Sequence, residues 1–145
     1  MTILEFNDQL QRCDFEEIFS TSVMANDAQI VDALHDQLQH GIKGDGEQIG
    51  EYQSENYAKA KFQMNSQAGF GNVDLKLTGD FYSGMALRKL EKDFQINSDD
   101  EKNVDLQNKY GIDIMSLTDE RAGQVAQDYI LDEFIKEIRE KLSLS

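Results

Sequence analysis

VDLKLTGDFYSGMAL, Val73 to Leu87, decides how this chain is read. Val73, Leu75 and Leu77 alternate with Asp74 and Lys76, the period-two pattern of a half-buried strand. Thr78, Gly79 and Asp80 then form a turn. Gly79 is free to take the positive φ that reverses the backbone, and Asp80 can close an Asx-turn on its own main chain. A second apolar segment, Phe81 to Leu87, follows. Phe94 and Ile96 alternate with Gln95 and Asn97, so Asp93 to Ser98 reads as the return strand of a hairpin that turns near Glu91, Lys92 and Asp93.

Helical patterns flank this strand region. Ile30, Val31, Leu34, Leu38 and Ile42 keep i, i+3/i+4 spacing, and the helix stops at Gly41 and Gly44. Phe15, Ile18 and Phe19 form an apolar cluster on a helical turn upstream. GIKGDGEQIGEYQ reads as an ordered loop or short hairpin about Asp45-Gly46. Ser54 caps a short helix to Met64 that places Tyr57, Ala58 and Lys61 on one side. NSQAGFGN reads as a flexible surface loop, and the segment after Ser98 as a short helix ended by Gly111. Thr118 caps a terminal helix in which Ala122, Val125, Ala126, Tyr129, Ile130, Phe134, Ile138 and Leu142 hold helical spacing. The expectation is an α+β domain over residues 1–145, with a central antiparallel sheet around Val73 to Ser98 and the N-terminal and C-terminal helices packed on it. Residues 1–13, which carry Ile3, Leu4, Phe6 and Leu10, read as a short strand or docked arm.

Charge narrows the function. Fourteen basic against 28 acidic residues give a net charge of −14, which sets aside a nucleic-acid reader and adhesion to anionic membranes. The densest basic cluster, Arg88, Lys89 and Lys92, is broken by Glu91 and Asp93. No run of apolar residues approaches a membrane span, and the first residues lack the basic and apolar regions of a signal peptide. The expected compartment is therefore a cytoplasm.

The candidate chemistry falls away on inspection. Cys13 is the single cysteine, so neither an intrachain disulfide nor a thiolate metal site can form. It reads as a partly buried small hydrophobe. His35 and His40 are five apart, on different helix faces, and read as exposed. GIKGDGEQIG has no Gly-Lys-Ser/Thr ending and does not follow a strand, unlike a phosphate loop. Asn97 to Asp105 is acidic but lacks the spacing of a calcium loop. Asp99, Asp100, Asp119 and Glu120 are carboxylates without a catalytic arrangement, and Ser83 is not on a nucleophile elbow. The reading is a protein with no catalytic residues, no metal and no cofactor.

The order of elements, by contrast, is distinctive. Gly46, Tyr52, Tyr57 and Lys61 precede Leu75, Leu77, Thr78, Gly79, Phe81 and Ser83, and a hairpin, Tyr110-Gly111 and a long helix follow. This resembles the tail-completion and neck proteins of long-tailed phages, in the broad virion-morphogenesis family, and its wording is closest to small proteins of Bacteroidota phages. The resemblance spans Gly41 to Leu142. Prolines common in that family at the first loop and after the aromatic-Gly element are missing, and its Arg-Pro-Phe-Leu segment is replaced by DIMSLTDE. The resemblance implies a virion structural protein at the head–tail junction or tail end. It would be assembled in the host cytoplasm as a homo-oligomeric ring adaptor that meets portal, connector or tail-tube proteins. The rival reading is a phage-encoded soluble interaction module, an inhibitor or assembly chaperone that binds another protein. In a ring, Ile3, Leu4, Phe6, Phe81, Tyr82 and Met85 would supply the apolar subunit contacts.

Overall fold

Side-chain caps set several of the helix starts in the computed structural model, which describes residues 1–142. Helix α1 (Ile3–Gln11) opens with a capping box. The Glu5 amide donates to Thr2 Oγ1 at 3.1 Å, and the Thr2 amide donates to the Glu5 carboxylate at 2.8 Å. Helix α2 (Phe15–Ala25) is capped by Asp14. It passes through Asn26 into α3 (Asp27–Gln39), and Asn26 donates its side-chain amide back to the Ser22 carbonyl. Residues 1–13 are thus largely helical, which corrects the expected strand. The capping box and the apolar i, i+3, i+7 series of Ile3, Phe6 and Leu10 explain why.

After α3 the chain makes the expected tight turn. Ile42 pairs with Gln48 across it, and the Lys43 amide donates to the Glu47 carbonyl at 3.0 Å. Ser54 caps α4 (Glu55–Met64). The following loop is tied down, contrary to the expected flexible one. Ala68 is buried, and Asn65 donates to the Gln39 carbonyl and the Asp74 carboxylate.

Val73 to Leu77 is not a strand. Gly50 and Tyr52 hold the start of this segment: the Val73 amide donates to the Gly50 carbonyl and the Tyr52 amide to the Gly71 carbonyl. Leu75 then sits at φ 60°, in the left-handed region, so the alternation breaks and Val73, Asp74 and Leu75 are all buried. Thr78 and Gly79 lead into a one-turn helix, α5 (Asp80–Ser83), rather than a hairpin. The antiparallel sheet is the next pair of segments, β1 (Met85–Lys89) and β2 (Phe94–Ser98). Their register pairs Met85 with Ser98, Leu87 with Ile96 and Lys89 with Phe94. The protein is therefore an α+β fold with a two-stranded sheet.

Helix α6 (Asn103–Tyr110) ends at Gly111, and a 3₁₀ turn (Ile112–Met115) leads to α7 (Asp119–Val125), capped by Thr118. A π turn (Ala126–Ile130) joins α7 directly to α8 (Leu131–Lys141). Helix α7 packs against α3 and α8 against α2, while β1 lies across α3. Phe19 of α2 meets Phe94 of β2 and Phe134 of α8 edge to face, with ring centroids 6.4 and 6.2 Å apart. One apolar core runs through these elements from Val23 to Val125, with Leu34, Leu38 and Ile114 at its centre.

A polar clip crosses that core. Gln37 is fully buried on α3. Its amide donates to the Ser116 carbonyl at 2.9 Å, and its oxygen accepts from the Thr118 amide at 2.9 Å. The start of α7 is thereby fixed to α3 through two main-chain groups that would otherwise lie unpaired.

Candidate functional site

The inward turn of Asp74 builds a buried ionic knot. Lys61 Nζ lies 2.8 Å from Asp74 Oδ1, and the two side chains are 9% and 3% exposed. The same carboxylate accepts from the Lys76 amide at 3.0 Å, from Tyr52 Oη at 3.3 Å and from the Asn65 amide at 3.1 Å. Lys61 also donates to the Lys76 carbonyl, and Tyr82 Oη donates to the Asp74 carbonyl. The Asx-turn therefore lies at Asp74, spanning Leu75, and its grip on the Lys76 amide accounts for the left-handed Leu75 backbone. Burial by itself would raise the Asp74 carboxyl. Together the Lys61 hydrogen bond, the Lys76 and Asn65 amides and the Lys61 charge outweigh it and hold the group below the usual carboxylate range. Burial, reinforced by the nearby Asp74 charge, pushes the Tyr52 and Tyr82 phenols upward.

Above the knot lies a groove of about 140 Å³, walled by Tyr52, Tyr57, Leu77, Thr78, Gly79 and Tyr110 and floored by Val73, Leu75 and Phe81. Tyr52 and Tyr57 meet edge to face with centroids 4.9 Å apart. Gly50 admits the Tyr110 ring, since a Cβ there would stand 3.2 Å from Tyr110 Cε1. Lys76 and Lys102 stand at its edge, and Lys109 lies 5.1 Å from the centre of the Tyr110 ring. In a chain of charge −14 this lysine-edged, aromatic surface contrasts with its surroundings.

The residues singled out from the sequence separate into three groups. Thr78 and Gly79 line the groove, and Gly79 has the expected positive φ, at 89°. The turn is closed by the Thr78 hydroxyl, which accepts from the Asp80 amide and donates to the Asp80 carboxylate, rather than by an Asx-turn at Asp80. Phe81, Tyr82 and Met85, expected at subunit contacts, are instead 4%, 5% and 7% exposed and belong to the subunit's own core. The cause is the α5 turn, which folds the segment inward over α3. Ile3, Leu4 and Phe6 are 86%, 77% and 38% exposed.

Other residues were misplaced by the sequence pattern or missed by it. His35 is half-buried, stacked on Tyr82 at 5.0 Å with Nε2 2.8 Å from the Tyr82 carbonyl, which corrects its expected exposure. His40 is likewise half-buried beside Asp36. Asp74 and Gln37 are buried polar residues that no spacing rule marks, and the helical spacing that places Lys61 gives no sign of its buried partner. Among the described residues, no three His, Cys, Asp or Glu side chains gather as a metal site, and no helix is long and apolar enough to cross a membrane. Comparison with known protein families, with curated proteins and with solved structures finds no match.

Proposed function

We propose that this chain is a structural component of a phage virion, a ring-forming adaptor at the head–tail junction or tail end. The observation that carries the reading is a convergence. Tyr52, Tyr57, Leu75, Leu77, Thr78, Gly79, Phe81 and Tyr110, which bear the resemblance to neck and tail-completion proteins and are scattered over about sixty positions, meet around one groove. Lys61, a further residue of that pattern, anchors the loop beneath it. A surface of this kind suits protein contact, with aromatic rings for buried area and a lysine edge for orientation.

The α1 helix adds support. Among the described residues it buries none of its own, yet it presents Ile3 and Leu4 to solvent. Such residues have a use where a neighbouring subunit covers them. Spread over a ring, a charge of −14 per copy would make an electronegative wall along which DNA slides without sticking. Mass spectrometry of purified phage particles, followed by image reconstruction of the neck and tail end, tests the proposal. The expected result is stoichiometric presence as a ring. Absence from particles, with the chain bound to another protein in infected cells, would favour the interaction-module reading instead.

A further inference from the structure

We propose that α1 of one copy docks head-to-tail on the aromatic groove of a second copy, with Leu4 entering the cavity and Asp8 turned toward Lys76 and Lys102. The inference rests on the ring-adaptor reading for its biological setting, though its physical basis is independent of it.

Size, charge and reach all point to this occupant. An apolar cavity of ~150 Å³ holds a benzene-sized group, so the groove of about 140 Å³ accepts one aliphatic side chain. Leu4 is such a side chain, 77% exposed at the capped end of a preformed helix. Docking therefore needs little ordering of the donor. Asp8 follows Leu4 by one turn on the same face and carries a charge opposite to that of Lys76 and Lys102 at the groove edge. In a molecule this acidic, a lysine-edged groove and an apolar-acidic helix form a complementary pair.

The donor must come from another molecule. Helix α1 is joined to α2 by a short link, and its Gln9, with Arg12 and Cys13, lines a cavity shared with Glu137 and Lys141 of α8. Among the described residues none of α1 lines the groove. Because donor and acceptor are different patches, the contact is heterologous and propagates from copy to copy, which is the geometry rings require.

A disulfide trap reads this contact even if it is weak. In full-length protein with Cys13→Ser, the pair Leu4→Cys and Leu77→Cys is oxidised at high protein concentration. Both positions are exposed, so an unchanged far-ultraviolet spectrum and melting temperature verify the fold. The expected product is a ladder of covalent dimers and higher oligomers, with peptide mapping showing each disulfide to join position 4 of one copy to position 77 of the next. Adding Lys76→Glu lowers the yield about fivefold, the scale of one exposed ion pair, and adding Asp8→Lys to that variant restores it. Intramolecular linkage, linkage between two copies through position 4 alone, or no linkage would each overturn the proposal, as would an unaltered yield in the charge variants. A ladder from a chain absent from particles would sink the virion reading and leave this contact standing. A chain present in particles without the ladder would do the reverse.

Discussion

Removing the Asp74 charge leaves the Lys61 ammonium in a buried site without an anion. Asp74→Asn should therefore cost about 3–5 kcal/mol, and Lys61→Met a similar amount, while the double variant recovers part of the loss because neither charge remains. Urea unfolding at neutral pH measures all three. The pH dependence has a definite sign. Asp74 titrates below its ordinary value of 3.8 when folded, so its contribution is complete above that value and is lost as pH falls through the folded pKa. The stability gap between wild type and Asp74→Asn should accordingly narrow below about pH 4; a gap that stays constant there would show that Asp74 gains nothing from ionising in the fold. Tyr52 and Tyr82 behave oppositely. The unfolded phenols ionise near 10 while the folded ones resist, so stability should fall as pH climbs above that value, less steeply in Tyr52→Phe. At Gly79, with φ 89° and open space around the missing Cβ, strain is the whole effect of a side chain. Gly79→Val should lower stability by about 1–2 kcal/mol and Gly79→Asn by less, read from melting temperatures.

The elements that could be read from the sequence are those whose burial follows a single period. Ile30, Leu34 and Leu38 mark α3 because the core lies on one side of it, and the Ser54 and Thr118 caps mark helix starts because the signal is local. The return strand was legible for the same reason, with Ile96 inward and Gln95 outward. Val73 to Leu77 misleads because Asp74 gains more from Lys61, Lys76 and Asn65 than an alternating strand gains from its ladder, and a strand pattern carries no trace of such partners. Much of the groove was visible as a motif but not as a place, since its convergence depends on that same turn. Gln37 was invisible because a glutamine within a helix reads as solvent-facing. Replacing it by leucine should cost about 2–3 kcal/mol, since the Ser116 carbonyl and Thr118 amide lose their partner in the interior. A shift of the denaturant midpoint at unchanged slope would register this loss. An unshifted midpoint would mean that α7 is held by its apolar contacts alone.

At the scale of the whole molecule, charge opposes self-association that apolar patches favour. Copies at −14 repel over the Debye length, so association should strengthen as salt rises from about 10 mM toward 150 mM, even though the local Lys76–Asp8 attraction weakens. Sedimentation velocity across that range checks it; association that falls steadily with salt would mean local pairs outweigh net repulsion. Ile3→Asp should reduce assembly without touching the monomer's melting temperature, because the side chain is already in water. The π turn at Ala126–Ile130 has a consequence for how this molecule can change over time. It amounts to one residue more than a regular helix needs, and it sets the phase between the face of α7 that meets α3 and the face of α8 that meets α2. A residue added to or removed from the regular α7, with no wide turn to absorb it, would turn everything downstream by about 100° and shift it by about 1.5 Å. Phe134 would swing off Phe19, and Leu142 would leave the interior. In α7, substitutions at exposed positions are tolerable where changes of length are not, whereas the wide turn can lose its extra residue and keep the phase.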